Sequence, residues 1–247
     1  MQNPEYVLGI DEVGRGALSG PVYLGGVMLD KNYPLYTFTH EKAGFGNNFS
    51  EFKNIRDSKK LPAKTRQNIH DLILEKGIQN LVLSASNNLI DQYGIGVCLS
   101  HMTALIISIL YPNTKLVVYI DGKIKLLDEF NLGLLQKLIL ENDLDINTKP
   151  YITKIDNSMS DIFGNTDKIE IIRENKADDK YLTIALASNL AKVKRDKFMS
   201  EIGKNYPEFD WQTNKGYGTE KHRLAIAKNS NNQYLRQTFL SRIVKIP

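Results

Sequence analysis

The 247-residue chain holds one cysteine, one tryptophan and four histidines. Each scarcity removes a class of chemistry. With Cys98 alone, neither an internal disulfide nor a cysteine-ligated zinc site can form, and its neighbours Ile95, Val97, Leu99 and Met102 mark it as a buried thiol. Long apolar runs are missing too. The longest, near Ala104 to Tyr111, falls far short of a bilayer span, and Met1-Gln-Asn-Pro-Glu lacks the charged start and apolar core of a signal peptide. The expectation is a cytoplasmic protein with no membrane partner. No internal repeat or low-complexity tract interrupts it.

What remains is ordinary globular material. At 42% hydrophobic residues the chain can bury a full core, and one domain over 1–247 is the expectation. Its formal charge of +4 permits an anionic partner without requiring one. The basic charge collects late: from Lys192 onward about twelve Lys and Arg oppose about five Asp and Glu.

Short β-branched or aromatic runs predict strands at Tyr6–Ile10, Val22–Leu29, Leu81–Ala85, Lys115–Ile120 and Ile169–Arg173. Helical spacing predicts helices at Ala63–Glu75 and Val97–Leu110. A further helix is expected within Leu126–Leu140. Leu182, Leu186, Leu190 and Val193 form one stripe of a helix running to about Ile202. Asp30–Arg56 and Asn157–Asp167 read as loops.

The first strand ends on two adjacent carboxylates, Asp11 and Glu12, followed at once by Gly14-Arg15-Gly16. A strand running into glycines also begins dinucleotide-binding loops, but here Ser19 holds the third glycine position, no Gly-Lys-Ser/Thr follows, and Pro21 leads into a second strand rather than a helix. Carboxylates repel phosphate. Asp11 and Glu12 beside a phosphate-friendly loop therefore make chemical sense when divalent cations lie between protein and substrate. The chemistry indicated is metal-dependent attack on a phosphodiester.

Four more segments stand beside this run: Asp57-Ser-Lys-Lys-Leu61; Tyr119-Ile-Asp-Gly122; Asp178 with Ala185-Leu-Ala-Ser-Asn-Leu-Ala-Lys-Val-Lys-Arg-Asp196; and Asn214-Lys-Gly-Tyr-Gly-Thr219. In this order they closely resemble bacterial-type ribonuclease HII, with matching segments from Tyr6 to about Phe239. The sister ribonuclease HIII carries a lysine in the glycine loop and an extra N-terminal domain, for which this chain has no room before Tyr6.

The resemblance implies a ribonuclease H-like α/β fold: a five-stranded mixed sheet flanked by helices, with a C-terminal helical segment at about 204–247 that helps hold the substrate. The stretch at about 123–176 is longer than in typical members and reads as an insertion. The implied metal ligands and catalytic acids are Asp11, Glu12, Asp121 and Asp178, holding two Mg2+ or Mn2+ ions. Asp178 lies ten residues before Ser188, the family's spacing, while Asp179 is the near alternative because Ala177 replaces the usual glycine.

Four converging carboxylates would raise one another's pKa unless cations were bound, and the two ions resolve that conflict. No histidine is required, so His40, His70, His101 and His222 are expected in structural or solvated roles. By the resemblance, Gly14, Arg15 and Gly16 read the ribose 2′-hydroxyl, and Tyr217 stacks on the deoxyribose after the ribonucleotide. Ser58, Lys59, Lys60, Ser188 and Lys192 are expected at backbone phosphates. The implied substrates are RNA/DNA hybrids and DNA duplexes containing ribonucleotides, cut by a monomer on the 5′ side of the ribonucleotide. Gln233 to Phe239 is only weakly similar to a sliding-clamp peptide, since Arg236 stands where an aliphatic residue belongs. Asn189 also replaces a usual aliphatic.

Overall fold

A computed structural model describes residues 4–30, 52, 55, 61–112, 114–122, 124–127, 131–144 and 168–240. Ser58, Lys59 and Lys60, the Asn157–Asp167 loop and nearly all of the Asp30–Arg56 loop lie outside the described residues.

Five strands form one mixed sheet in the order β3-β2-β1-β4-β5. β1 is Tyr6–Val13, β2 Val22–Asp30, β3 Gln79–Ala85, β4 Leu116–Asp121 and β5 Ile169–Glu174. β2 runs antiparallel to both its neighbours, pairing Asp11 with Gly25 and Gly26 with Leu81. β1, β4 and β5 run parallel, with Ile10 beside Ile120 and Asp121 beside Glu174. The C-terminal ends of these three strands therefore share one sheet edge. That edge is where an open α/β sheet leaves a crevice.

Helices cover both faces. α1 (Ala63–Glu75) and the long α5 (Leu182–Asn205) pack on one, where Ile69, Ile73, Leu186 and Leu190 meet Val27 and Leu29. α5 comes unusually close because β1 and β2 carry glycine beneath it. A Cβ on Gly9 would stand 2.4 Å from the Ile184 amide nitrogen, and one on Gly25 would stand 2.3 Å from the Ala187 carbonyl oxygen. The other face is covered by α2 (Asn87–Tyr93), α3 (Ile95–Leu110) and α4 (Leu132–Glu141), whose apolar side chains meet Leu8, Ile10, Val118 and Ile120.

Sequence periodicity finds α3 but not α2. The two are separated only at Gly94, which has φ of 85° and lets the axis turn by 111°. α4 begins later than the apolar pattern implies, because the Asn131 side chain accepts the Leu134 amide and caps it there. The stretch 123–176 supplies both α4, which buries Leu134, Leu135 and Leu138, and the edge strand β5.

Past α5 a third apolar cluster joins Leu18, Met199, Phe209, Trp211, Ile226 and Leu235. It includes the short α6 (Trp211–Asn214), α7 (Glu220–Lys228) and α8 (Gln237–Leu240). Among the described residues, no single helix is long and apolar enough to cross a membrane. Cys98 is buried and unpaired.

Candidate active site

β1 delivers Asp11 and Glu12 to the common edge on opposite faces, as strand alternation requires. Asp11 turns toward α5 and is 4% exposed. Its Oδ1 accepts the Glu12 amide at 2.8 Å, and the Ser188 hydroxyl bonds its carboxyl group. Burial, and then the charges of Glu12, Asp121 and Asp178, push Asp11 up to about 8. Asp121 ends β4 and accepts the Ala177 amide at 2.8 Å, which docks the 3₁₀ turn Ala177–Asp179 beside it. Asp178, not Asp179, is among the charges acting on Asp11. Neither caps α5, whose N-cap is Tyr181 without a side-chain hydrogen bond.

Glu12 is held by Arg15, whose Nη1 donates at 3.2 Å. Burial raises its pKa and Arg15 opposes that rise. Among the described residues, no three acid, imidazole or thiol groups stand close enough to share one ion as placed. Each acid has a partner in the protein instead: Arg15 for Glu12, the Ala177 amide for Asp121, and Ser188 for Asp11. The donor set nonetheless fits a hard divalent cation, being all carboxylate oxygen, with Asp11 held largely protonated near neutral pH for want of positive charge.

Next to the acids lies a cavity of about 470 Å³ lined by Glu12, Gly14, Arg15, Gly16, Lys192 and Tyr217. Gly14 has φ of 92°, and a Cβ there would stand 2.1 Å from Arg195 Nε, so backbone and guanidinium touch only because no side chain intervenes. Gly16 is open, with nothing near its Cβ position. Tyr217 is 38% exposed on the opposite wall. The Lys192 ammonium reaches Asp196 at 2.6 Å, and Arg66 of α1 donates to the other carboxylate oxygen at 3.2 Å.

Ser188 does not stand at a phosphate surface, the place the sequence gives it. One helical turn from Lys192 on α5, it is fully buried against β1 and bonds Asp11. Glycine in the strands draws α5 too close for its inner face to meet substrate.

Sequence reasoning also passes over three buried residues that brace the loop. Arg195 donates to the carbonyls of Pro21, Ser19 and Lys215, and its guanidinium lies 5.4 Å from the Tyr217 ring centre. Arg236 donates to the carbonyls of Gly20 at 2.8 Å and Arg15 at 3.1 Å. Burial of the 233–239 segment thus explains the departure from a clamp peptide, because Arg236 faces inward. His222 joins Trp211, Ser19 and the Tyr217 carbonyl. The signal available in sequence was the basic excess after Lys192, part of which is internal.

A mixed β3-β2-β1-β4-β5 sheet with acids at the ends of β1 and β4 defines a ribonuclease H-like nuclease. Solved structures share the fold. Ribonuclease HII in its PCNA complex from Archaeoglobus fulgidus superposes with a TM-score of 0.61 over 95% of this chain and 94% of its own, at 22% identity. A Bst ribonuclease HIII in complex with Mn2+ gives 0.55, at 15% identity, over 97% of this chain and 66% of that one.

The family model for Ribonuclease HII matches residues 8–243. Ribonuclease HII of Clostridium tetani is 30% identical over 98% of this chain and 70% of its own length, and that of Aliarcobacter butzleri 34% identical over 94% and 88%. The chain belongs to the ribonuclease HII family. It is therefore a hydrolase, an endonuclease acting on RNA/DNA hybrids.

Proposed function

We propose that this chain acts in the cytoplasm as a single catalytic unit over 1–247. In this reading it incises DNA duplexes 5′ to embedded ribonucleotides as well as the RNA strand of hybrids, leaving 5′-phosphate and 3′-hydroxyl ends. The observation that carries the reading is the convergence of Asp121 and Asp178 on buried Asp11, at the lip of a cavity walled by Gly14, Gly16 and Tyr217. Asp11, Glu12, Asp121 and Asp178 would hold two Mg2+ or Mn2+ ions, which supply Lewis acidity for in-line displacement at phosphorus.

The remaining roles belong to the chain's own groups. Ser188 orients the Asp11 carboxyl group from beneath, and Ala177 fixes Asp121 through its amide. Arg15 holds Glu12 while the site is empty of substrate and is free to turn to phosphate when Glu12 takes a cation. The exposed backbone at Gly16 lets N–H and C=O groups approach a 2′-hydroxyl, which both donates and accepts. Tyr217 offers a ring face to the deoxyribose on the 3′ side, and Lys192 offers charge to the backbone between.

Incision of a DNA duplex carrying one ribonucleotide tests the reading, with Mg2+, Mn2+ or EDTA, for wild type and Asp121→Asn. Metal-dependent cutting 5′ to the ribonucleotide, abolished in the variant while the protein stays folded, is expected. Cutting that survives EDTA or Asp121→Asn would remove the assignment of the acids.

A further inference from the structure

A second cavity, of about 330 Å³, opens at the ends of β4 and β5 and is lined by Gly122, Ile124, Lys125, Arg173, Glu174 and Asn175. It adjoins the acids, since a Cβ on Gly122 would stand 4.0 Å from Glu12 Oε2. It also lies on their far side from Tyr217. The first cavity is bounded by the end of β1, α5 and the Tyr217 turn, whereas this one occupies the β5 edge of the sheet.

The charges around the site differ in their commitments. Arg15 is paired with Glu12, Lys192 with Asp196, and Lys180 with Glu174. Glu174, in the second cavity's wall, also accepts the Tyr181 hydroxyl at 2.9 Å, so its negative charge is matched locally. Lys125 and Arg173 are exposed, and neither joins an ion pair among the described residues. The wall thus carries two uncommitted cations against one neutralised acid. A cleft this small excludes a duplex but admits its sugar-phosphate edge.

We propose that Lys125 and Arg173 form a second backbone subsite, taking a phosphodiester of the cut strand on the 5′ side of the scissile bond. The proposal rests on the nuclease reading above. With Tyr217 at the deoxyribose 3′ to the ribonucleotide and the scissile phosphate over the acids, the strand leaves across the ends of β4 and β5. Arg173 suits bidentate contact with phosphate oxygens, and Lys125 adds a point charge.

Binding measured by fluorescence anisotropy, with Ca2+ replacing Mg2+, separates the alternatives. Two duplexes with one embedded ribonucleotide are compared, one with DNA arms on both sides and one whose ribonucleotide strand begins at the scissile phosphate. For the two-armed duplex, Lys125→Ala combined with Arg173→Ala should weaken binding about tenfold at physiological salt. It should also lower the slope of log K against log salt by about one to two, roughly 0.9 per lost phosphate contact. For the duplex without a 5′ arm, wild type and double variant should bind alike. Lys137→Ala, which removes an exposed charge on α4, should leave the slope unchanged.

Unaltered binding of the two-armed duplex, or equal loss on both duplexes, overturns the subsite. Wild-type binding without incision in Mg2+ would instead remove the nuclease reading and leave the subsite standing.

Discussion

The indole N–H of Trp211 donates to His222 Nε2 at 2.9 Å, which places the imidazole proton on Nδ1, 2.8 Å from the Tyr217 carbonyl. The ring must be neutral to serve both. The Ser19 hydroxyl, 3.0 Å from the same Nε2, completes the ring's partners, and Phe209 packs edge-on against it. The cleft tyrosine is thus fixed through its backbone by a histidine that never meets substrate.

This arrangement carries a pH dependence. Burial lowers the His222 pKa, while the Tyr217 carbonyl and Asp210 oppose that shift. A lowered folded-state value means that the unfolded chain takes up its proton first. The stabilisation is therefore complete above the model value of 6.5 and is lost as pH falls from there through the folded-state value. Trp211 is the only tryptophan, so its fluorescence reports the event directly. An acid transition below pH 6.5 is expected, absent in His222→Gln, together with weaker cleavage at single ribonucleotides.

Asp196 holds Lys192 and Arg66 together. Burial lowers the Lys192 pKa, and Asp196 is the group that resists it. Asp196→Asn should let the ammonium lose its proton sooner as pH rises. Hybrid affinity should fall about tenfold near neutrality, or about 1.4 kcal/mol, and further toward pH 9. A binding titration from pH 7 to 9 checks this, and a wild-type profile would show that Lys192 does not meet phosphate.

Tyr217→Phe should retain incision at a single ribonucleotide, since the ring face and the Arg195 contact survive. Tyr217→Ala should reduce it about tenfold or more, in line with the roughly 1–3 kcal/mol associated with stacking on an aromatic ring. Comparing both variants on a continuous hybrid isolates the junction effect, because there the loss should be smaller.

Asn189 is fully buried, and neither its Nδ2 nor its Oδ1 has a partner. Leaving an amide unsatisfied costs about 1–3 kcal/mol, so Asn189→Val should stabilise the fold. The expected gain in Tm is about 2–8 °C, at roughly 2–4 °C per kcal/mol for a chain of this size. Unchanged or lower thermal stability would mean that the amide has a partner in solution.

The sheet was legible because its strands are short, β-branched runs bounded by polar residues, and all five fall where that pattern puts them. The acids were legible because strand ends carry them: Asp11 and Glu12 follow Tyr6–Ile10 directly, and Asp121 follows Leu116–Ile120. Ser188 was misplaced because its surroundings depend on how near α5 approaches the sheet. That distance is set by Gly9 and Gly25, far away in sequence. Arg195 and Arg236 were hidden for a related reason. A buried arginine satisfied by backbone carbonyls has the same sequence signature as a solvated one, and only tertiary structure supplies the carbonyls.

The bond from Arg236 to the Arg15 carbonyl spans 221 positions, and the Arg236 amide likewise donates to Leu18. During synthesis, the acids of β1 and β4 emerge long before the residue that fastens the loop beside them. A chain broken off short of Arg236 would keep every carboxylate yet lack the brace on its sugar-reading turn. Competence to discriminate RNA from DNA is thus acquired last, when translation is nearly complete.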